Sequence, residues 1–281
     1  MSSSTVQPLL ALLACRASGN PLQYMIEQAI ARHDLDWRFL TFEVDPENLG
    51  DAVRGLRALG FRGAQCAEPH KQAILPLLDR VTAAAATVGA VNLIFREENA
   101  LVGENTEGRG VVQAVRNVFD LAGKHVTLLG AGQFARATAV ELVSADVTGV
   151  TIVNRTESRA VELASLLSEK FSVAAAAVVW QGDYAVPPET DVLIHTTSLA
   201  GDDDAPLPLA ADTLRPDLFV VDATPYVPRT WLLDEARKRG CSTLDGLTVC
   251  IEQVAISLQR WMDIDADRQA LREAAEEFLG V

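Results

Sequence analysis

The sequence predicts a two-domain α/β protein whose last helices return to the first domain. Three observations carry this: two successive series of short apolar runs alternating with helical patterns, one Gly-rich turn between a strand and a helix, and a C-terminal stretch that is helical throughout. Length agrees, because 281 residues at roughly 100 to 200 per domain favour two. Hydrophobic residues at 49% and charged residues at 22% are globular proportions, which excludes a disordered chain.

The first series opens with strands at Pro8–Cys15 and Trp37–Val44 and helices at Pro21–Arg32 and Glu47–Leu59. Phe61–Cys66 is a third strand, and Lys71–Val88 reads as one long Ala-rich helix. Ala90–Phe95 and Leu101–Val102, joined by the polar turn Arg96–Asn99, read as a β-hairpin. Strands separated by helices imply crossover connections and so a largely parallel sheet. After a helix at Gly110–Leu121 the second series places strands at His125–Leu129, Gly149–Val153, Ala174–Trp180, Asp191–His195 and Leu218–Asp222. Its helices are Phe134–Val143, Glu157–Phe171 and Trp231–Arg239, the rhythm of a doubly wound nucleotide-binding domain. The loop Ala200–Pro208, with one Gly, three Asp and two Pro, predicts a solvated, mobile connection. In Leu247–Val281 the apolar residues Leu247, Ile251, Val254, Leu258 and Trp261 recur at helical spacing and mark one buried face. The expected domains are therefore 1–108, completed by 246–281, and 109–245.

A net charge of -14 disfavours nucleic acid and anionic membrane surfaces as partners, and an anionic ligand needs a local basic group such as Lys71 or Arg155. Cys15, Cys66, Cys241 and Cys250 lack any metal-site spacing and read as reduced thiols; no metal is expected. His33, His70 and His125 share no such spacing either, and His195, ending a central strand, reads as structural. The exposed run Asp202–Asp204 reads as solvent-facing. With no basic region ahead of its first apolar stretch and no run of about 18 apolar residues, the chain is expected in the cytoplasm.

The chemistry-bearing motif of the second series is Gly130-Ala131-Gly132-Gln133-Phe134-Ala135, which follows the strand HVTLL and opens a helix. Gly130 permits the tight turn, Gly132 lets backbone approach a pyrophosphate, and Ala135 allows close helix–strand packing. The helix start offers free N–H groups to that pyrophosphate. Where an NAD site places a carboxylate after the second strand, this chain has Asn154-Arg155-Thr156, with Arg159 one turn on. Guanidinium groups suit a 2′-phosphate, so the cofactor read from these residues is NADP(H).

The ordered set Ser18-Gly19-Asn20-Pro21, Glu68-Pro69-His70-Lys71, Gly89-Ala90-Val91-Asn92, Gly103-Glu104-Asn105-Thr106-Glu107-Gly108-Arg109-Gly110, the Gly-Ala-Gly fingerprint, Asn154-Arg155-Thr156 and Gln253 resembles the shikimate dehydrogenases along almost the whole chain. The resemblance implies a substrate domain followed by a Rossmann-type NADP-binding domain, and reversible NADP-dependent reduction of 3-dehydroshikimate to shikimate, a step of aromatic amino acid biosynthesis. It implies Lys71 as the acid/base, with Glu107 at the position of the family's Asp as its carboxylate partner. Ser18, Asn20, Asn92 and Gln253 fall at substrate-binding positions, and Thr197 joins Gly130–Ala135, Asn154–Thr156 and Arg159 at the cofactor.

The departures bear on the substrate. Asn20 replaces the second serine of Ser-x-Ser-Pro, Leu93 a threonine, and Gln65-Cys66-Ala67 stands where the family has Asn-Val-Thr. In Asp222-Ala223-Thr224-Pro225-Tyr226 the tyrosine comes one place late. A buried site that loses such partners discriminates differently. Two alternatives therefore stand beside shikimate: a dehydrogenase paralogue for another cyclic acid such as quinate, and a non-catalytic NADP(H) sensor. A monomer or a homodimer is expected.

Overall fold

The computed structural model describes residues 6–197, 199 and 206–281. The chain divides into two compact units, one formed by residues 1–106 with 253–281 and the other by 107–252. Ser198 and residues 200–205, most of the connection expected to be solvated, lie outside the described residues.

In the first unit β1 (Leu9–Ala14), a run of apolar residues, is buried on both faces and lies parallel to β2 (Arg38–Glu43) and β3 (Gly63–Cys66). The helices α1 (Leu22–Arg32) and α2 (Leu49–Ala58) make the crossovers. The hairpin β5 (Leu93–Glu97) and β6 (Ala100–Glu104) then joins β3 antiparallel, and the two-residue β4 (Arg80–Val81) pairs parallel with β6. The strand order is β2-β1-β3-β5-β6-β4, a parallel-rich sheet as expected. Its antiparallel part is the expected hairpin, which reverses the chain without a crossover.

The segment 71–88 is not one helix. It holds α3 (His70–Ala73), a 3-10 turn at Leu75–Leu77, β4, and α4 (Ala83–Val88). Pro76 supplies no N–H and restricts Leu75, which stops α3 after one turn. Leu78 is extended, and a new helix starts where the Thr82 hydroxyl accepts from Ala85 N at 3.3 Å.

The unit is closed by the carboxyl part of α9 (Gly246–Met262) and by α10 (Arg268–Leu279). Asp267 caps α10, and Tyr24 of α1 donates to Glu277 of α10 at 2.8 Å. The face Leu247, Ile251, Val254, Leu258 and Trp261 is buried as its spacing predicts. Trp261 Nε1 donates to Ile94 O at 2.8 Å, directly over Gly63, where a Cβ would overlap both atoms.

The second unit is a parallel sheet in the order β12-β11-β10-β7-β8-β9, covered by helices. Its strands are β7 (His125–Leu129), β8 (Gly149–Asn154), β9 (Ala174–Val179), β10 (Val192–His195), β11 (Phe219–Asp222) and β12 (Ser242–Leu244). Its helices are α5 (Glu107–Arg116), α6 (Gln133–Val143), α7 (Glu157–Phe171), α8 (Trp231–Lys238) and the start of α9. Winding runs outward from β7 to β9, then restarts at β10 beside β7, which is the doubly wound topology with its switch point between β7 and β10. β12, a polar edge strand, was not anticipated. α5 begins before Gly110 and ends before Leu121, because Gly108 brings it against the backbone of Ala137 in α6, and Asp120 turns the chain by accepting from Ala122 N. No helix of the described residues is long and apolar enough to cross a membrane.

Candidate active site

In the first unit the functional candidates collect where β1, β3 and β6 end and β5 begins. Ser18 and Asn20 follow β1. Asn20 Oδ1 accepts from Leu22 N at 2.9 Å, so that oxygen is engaged in opening α1. Lys71 follows β3 in the single turn of α3; its side chain is 15% exposed, and Nζ lies 3.5 Å from Glu68 Oε1. Its carbonyl accepts from Val91 N at 2.8 Å, which fixes Lys71 beside the loop carrying Asn92.

Asn92 is buried and held on every side. Its backbone accepts from Cys66 N at 2.8 Å and donates to Glu104 O at 3.1 Å. Its amide accepts from Thr106 N at 2.7 Å and donates to Thr106 Oγ1 at 3.0 Å. An amide nitrogen carries two hydrogens, so one N–H remains for a ligand. Thr106, fully buried, orients Asn92 through these bonds, a contact that the sequence does not show. Asn105 secures the same pair of loops by donating to Ala90 O at 3.2 Å. The only signal was the motif containing both residues. Gln253 lies half-buried on α9.

The second unit carries the fingerprint at the switch point. Gly130 follows β7 with φ 120, and a Cβ there would stand 2.7 Å from Thr196 Oγ1 and 3.1 Å from Thr197 Cγ2. Thr196 and Thr197 therefore flank the turn. Gly132 precedes α6 with no side chain capping the helix and nothing within 4 Å of its missing Cβ. Gln133 and Phe134 begin the helix, whose first backbone bond within this turn is Arg136 N to Gly132 O at 2.9 Å. The N–H groups before it are left for an anion, and the space for it is open. Ala131 is half-buried against the core, and Ala135 is buried within it, as close packing of α6 on β7 requires.

Asn154 ends β8 and donates to Thr156 O at 2.9 Å, which shapes the turn that follows. Arg155 and Thr156 are exposed on it and Arg159 is exposed in the first turn of α7, and neither arginine makes an ion pair among the described residues. This donor set fits a dinucleotide bearing a 2′-phosphate. Glu107 belongs to this unit, buried at the start of α5.

One cluster beside the switch point was not assembled from the sequence. His195 and Asp222 are register partners at the ends of β10 and β11, and both are fully buried. His195 Nδ1 meets Asp222 Oδ1 at 3.0 Å, and Nε2 meets Thr197 Oγ1 at 2.6 Å. Asp222 also accepts from Thr224 N, from Thr224 Oγ1 at 2.7 Å and from Thr230 Oγ1 at 2.7 Å. Burial alone would raise the Asp222 carboxyl, but the hydrogen bonds from His195, Thr224 and Thr230 outweigh it and hold it below the usual carboxylate range. Tyr226 sits half-buried with φ 60, and burial pushes its phenol up. Among the described residues no three His, Cys, Asp or Glu side chains converge as a metal cage.

A doubly wound unit with this fingerprint, joined to a separate mixed α/β unit that presents a lysine and an asparagine together, defines a two-unit dinucleotide-dependent oxidoreductase. Residues 17–94 match the shikimate dehydrogenase substrate binding domain and residues 113–199 the shikimate / quinate 5-dehydrogenase domain. The chain belongs to the shikimate dehydrogenase family, oxidoreductases acting on a CH–OH group. Shikimate dehydrogenase (NADP(+)) of Moorella thermoacetica is 37% identical, over 93% of this chain and 92% of its own. Among solved structures, the 5-ketofructose reductase of Gluconobacter sp. strain CHM43 superposes with a TM-score of 0.94 at 35% identity, covering 98% of this chain and 99% of its own. A shikimate dehydrogenase in complex with NADP+ superposes with a TM-score of 0.89 at 28% identity, covering 97% and 96%.

Proposed function

We propose that this protein is an NADP(H)-dependent dehydrogenase that interconverts a secondary hydroxyl and its ketone on a small polyhydroxy compound, with the 3-dehydroshikimate/shikimate couple as its first candidate. The observation that carries the reading is the placement of Lys71: mostly buried after β3, anchored through its carbonyl to Val91, and so adjacent to Asn92. An ammonium there donates a proton to the carbonyl oxygen as hydride reaches the carbonyl carbon, and in the other direction the amine takes it back. Asn92 offers its remaining N–H to a substrate oxygen, with Ser18, Asn20 and Gln253 as further polar contacts. NADP(H), when bound, supplies or accepts the hydride. The open start of α6 holds its pyrophosphate, and Arg155 and Arg159 hold its 2′-phosphate. The roles of Lys71 and Glu107 as catalytic residues, and of Asn154, Thr156 and Thr197 at the cofactor, belong to the same proposal.

A second reading has a specific observation behind it. The superposition on a 5-ketofructose reductase, together with Asn20 and Ala67 at positions where the family has hydroxyls, favours a neutral polyhydroxy ketone as substrate. A panel of 3-dehydroshikimate, 3-dehydroquinate and 5-ketofructose with NADPH, followed by loss of NADPH absorbance, separates the readings. Fastest turnover of 3-dehydroshikimate supports the first, and fastest turnover of 5-ketofructose the second. NADPH binding without turnover of any ketone would refute both and leave the sensor.

A further inference from the structure

The buried histidine at the end of β10 has no part in the reaction as proposed, yet its contacts reach the switch point. We propose that His195 and Asp222 are positioning residues that lock the Thr197 hydroxyl as a hydrogen-bond acceptor for the nicotinamide riboside half of the coenzyme. This rests on the reading that the second unit binds NADP(H).

The argument follows proton positions. Asp222 takes four donors on its two oxygens: His195 Nδ1, Thr224 N and Thr224 Oγ1 on Oδ1, and Thr230 Oγ1 on Oδ2. An ionised carboxylate only accepts, so Nδ1 of His195 carries a proton. In the neutral ring Nε2 is then an acceptor, and the Thr197 hydroxyl at 2.6 Å gives it its only hydrogen. Leu199 N donates to the same oxygen at 3.2 Å. One acceptor site remains on Thr197, and it cannot turn into a donor while the ring holds that hydrogen. The order of the chain Asp222, His195, Thr197 thus decides the polarity of one exposed-edge group from inside the sheet.

The place of that group decides its ligand. The methyl carbon of Thr197 lies against the position a Gly130 side chain would occupy, so the hydroxyl belongs to the turn where β7 and β10 part. A dinucleotide with its 2′-phosphate at Arg155 beyond β8 and its pyrophosphate at the start of α6 has its other half on the β10 side. That half carries a carboxamide N–H pair and ribose hydroxyls, all donors that suit a fixed acceptor. A threonine whose hydroxyl turned freely would offer donor and acceptor alike and select less.

The test compares NADPH with 2′,5′-ADP, which keeps the adenosine and phosphate half and lacks the nicotinamide riboside. Thr197→Val keeps the volume and removes the hydroxyl. It is expected to raise the dissociation constant of NADPH about 3- to 10-fold, the size of one hydrogen bond, with 2′,5′-ADP changed by less than about twofold. His195→Leu should do the same, and adding Thr197→Val to it should weaken NADPH no further, because His195 acts through that hydroxyl. His195→Gln, whose amide can donate to Asp222 and accept from Thr197, should recover most of the affinity. Should His195→Leu fail to fold, His195→Asn, too short to reach both partners, takes its place in the comparison. Equal losses for NADPH and 2′,5′-ADP, or additive losses in the double variant, would overturn the positioning role. Unchanged NADPH affinity in Thr197→Val would overturn the contact itself. If even the wild-type protein bound neither ligand, the failure would lie with the NADP(H) reading and not with His195.

Discussion

Replacing Arg155 by alanine should cut the preference for NADPH over NADH by roughly tenfold. The side chain is exposed just after Asn154 ends β8, and it makes no ion pair among the described residues, so its removal breaks nothing else in the fold. Its loss therefore reads out as one charge-assisted bond to a phosphate, worth about 1.5 to 3 kcal/mol. Exposure to water and a screening length of about 8 Å at physiological salt place the value near the lower end. About 1.5 kcal/mol is roughly a tenfold rise in the dissociation constant of NADPH, with NADH changed by less than about twofold. Arg155→Ala combined with Arg159→Ala should raise it further. Titrations followed by coenzyme fluorescence measure both constants in the same protein, and raising salt should shrink the wild-type preference but leave the variant almost unmoved. Equal losses for NADPH and NADH, or an unchanged ratio, would refute the assignment of these guanidinium groups to the 2′-phosphate.

Three further outcomes follow from the packing. Gly63→Ala places a methyl onto Trp261 Nε1 and the Ile94 carbonyl; one partner is backbone and cannot move aside, so urea unfolding should show a loss of about 3 kcal/mol or more. Asn92→Ala leaves the buried Thr106 N–H without its acceptor, which should lower stability by about 1 to 3 kcal/mol besides removing a substrate contact; thermal unfolding of the variant reads the first effect separately. Asp222, held below the usual carboxylate range, contributes stability that is fully present above the unfolded value near 3.9 and is lost as pH falls through its lower folded value. Urea midpoints between about pH 6 and pH 2 should accordingly fall more steeply for the wild type than for Asp222→Asn, and parallel curves would contradict that linkage.

Much of the second unit was legible because every strand except the polar edge strand β12 is a short apolar run and the Gly-rich turn sits between β7 and α6, a local pattern that needs no tertiary information. The first unit was read less well. The Ala-rich composition of residues 71–88 argues for continuous helix and outweighed Pro76, a local break signal in the middle of the run, while packing alone shows that Arg80–Val81 finds a partner in β6. The mixed strand direction follows from the hairpin, whose turn was visible while its pairing with β3 was not. At the site, the motifs carry Lys71 and Asn92, but the clamp between Asn92 and Thr106 depends on two loops meeting. His195 and Asp222 left a trace: VLIH and FVVD are buried strands that each end in one polar residue. Their register, a tertiary fact, turns that trace into a hydrogen-bonded chain.

The central claim is that Lys71 handles the proton while a bound NADP(H) handles the hydride. The most direct measurement is turnover by Lys71→Ala on whichever ketone the wild type reduces, made alongside NADPH binding to the same preparation. The account predicts that kcat falls by about 100-fold or more while the NADPH dissociation constant stays within about twofold. Turnover at the wild-type rate would contradict it.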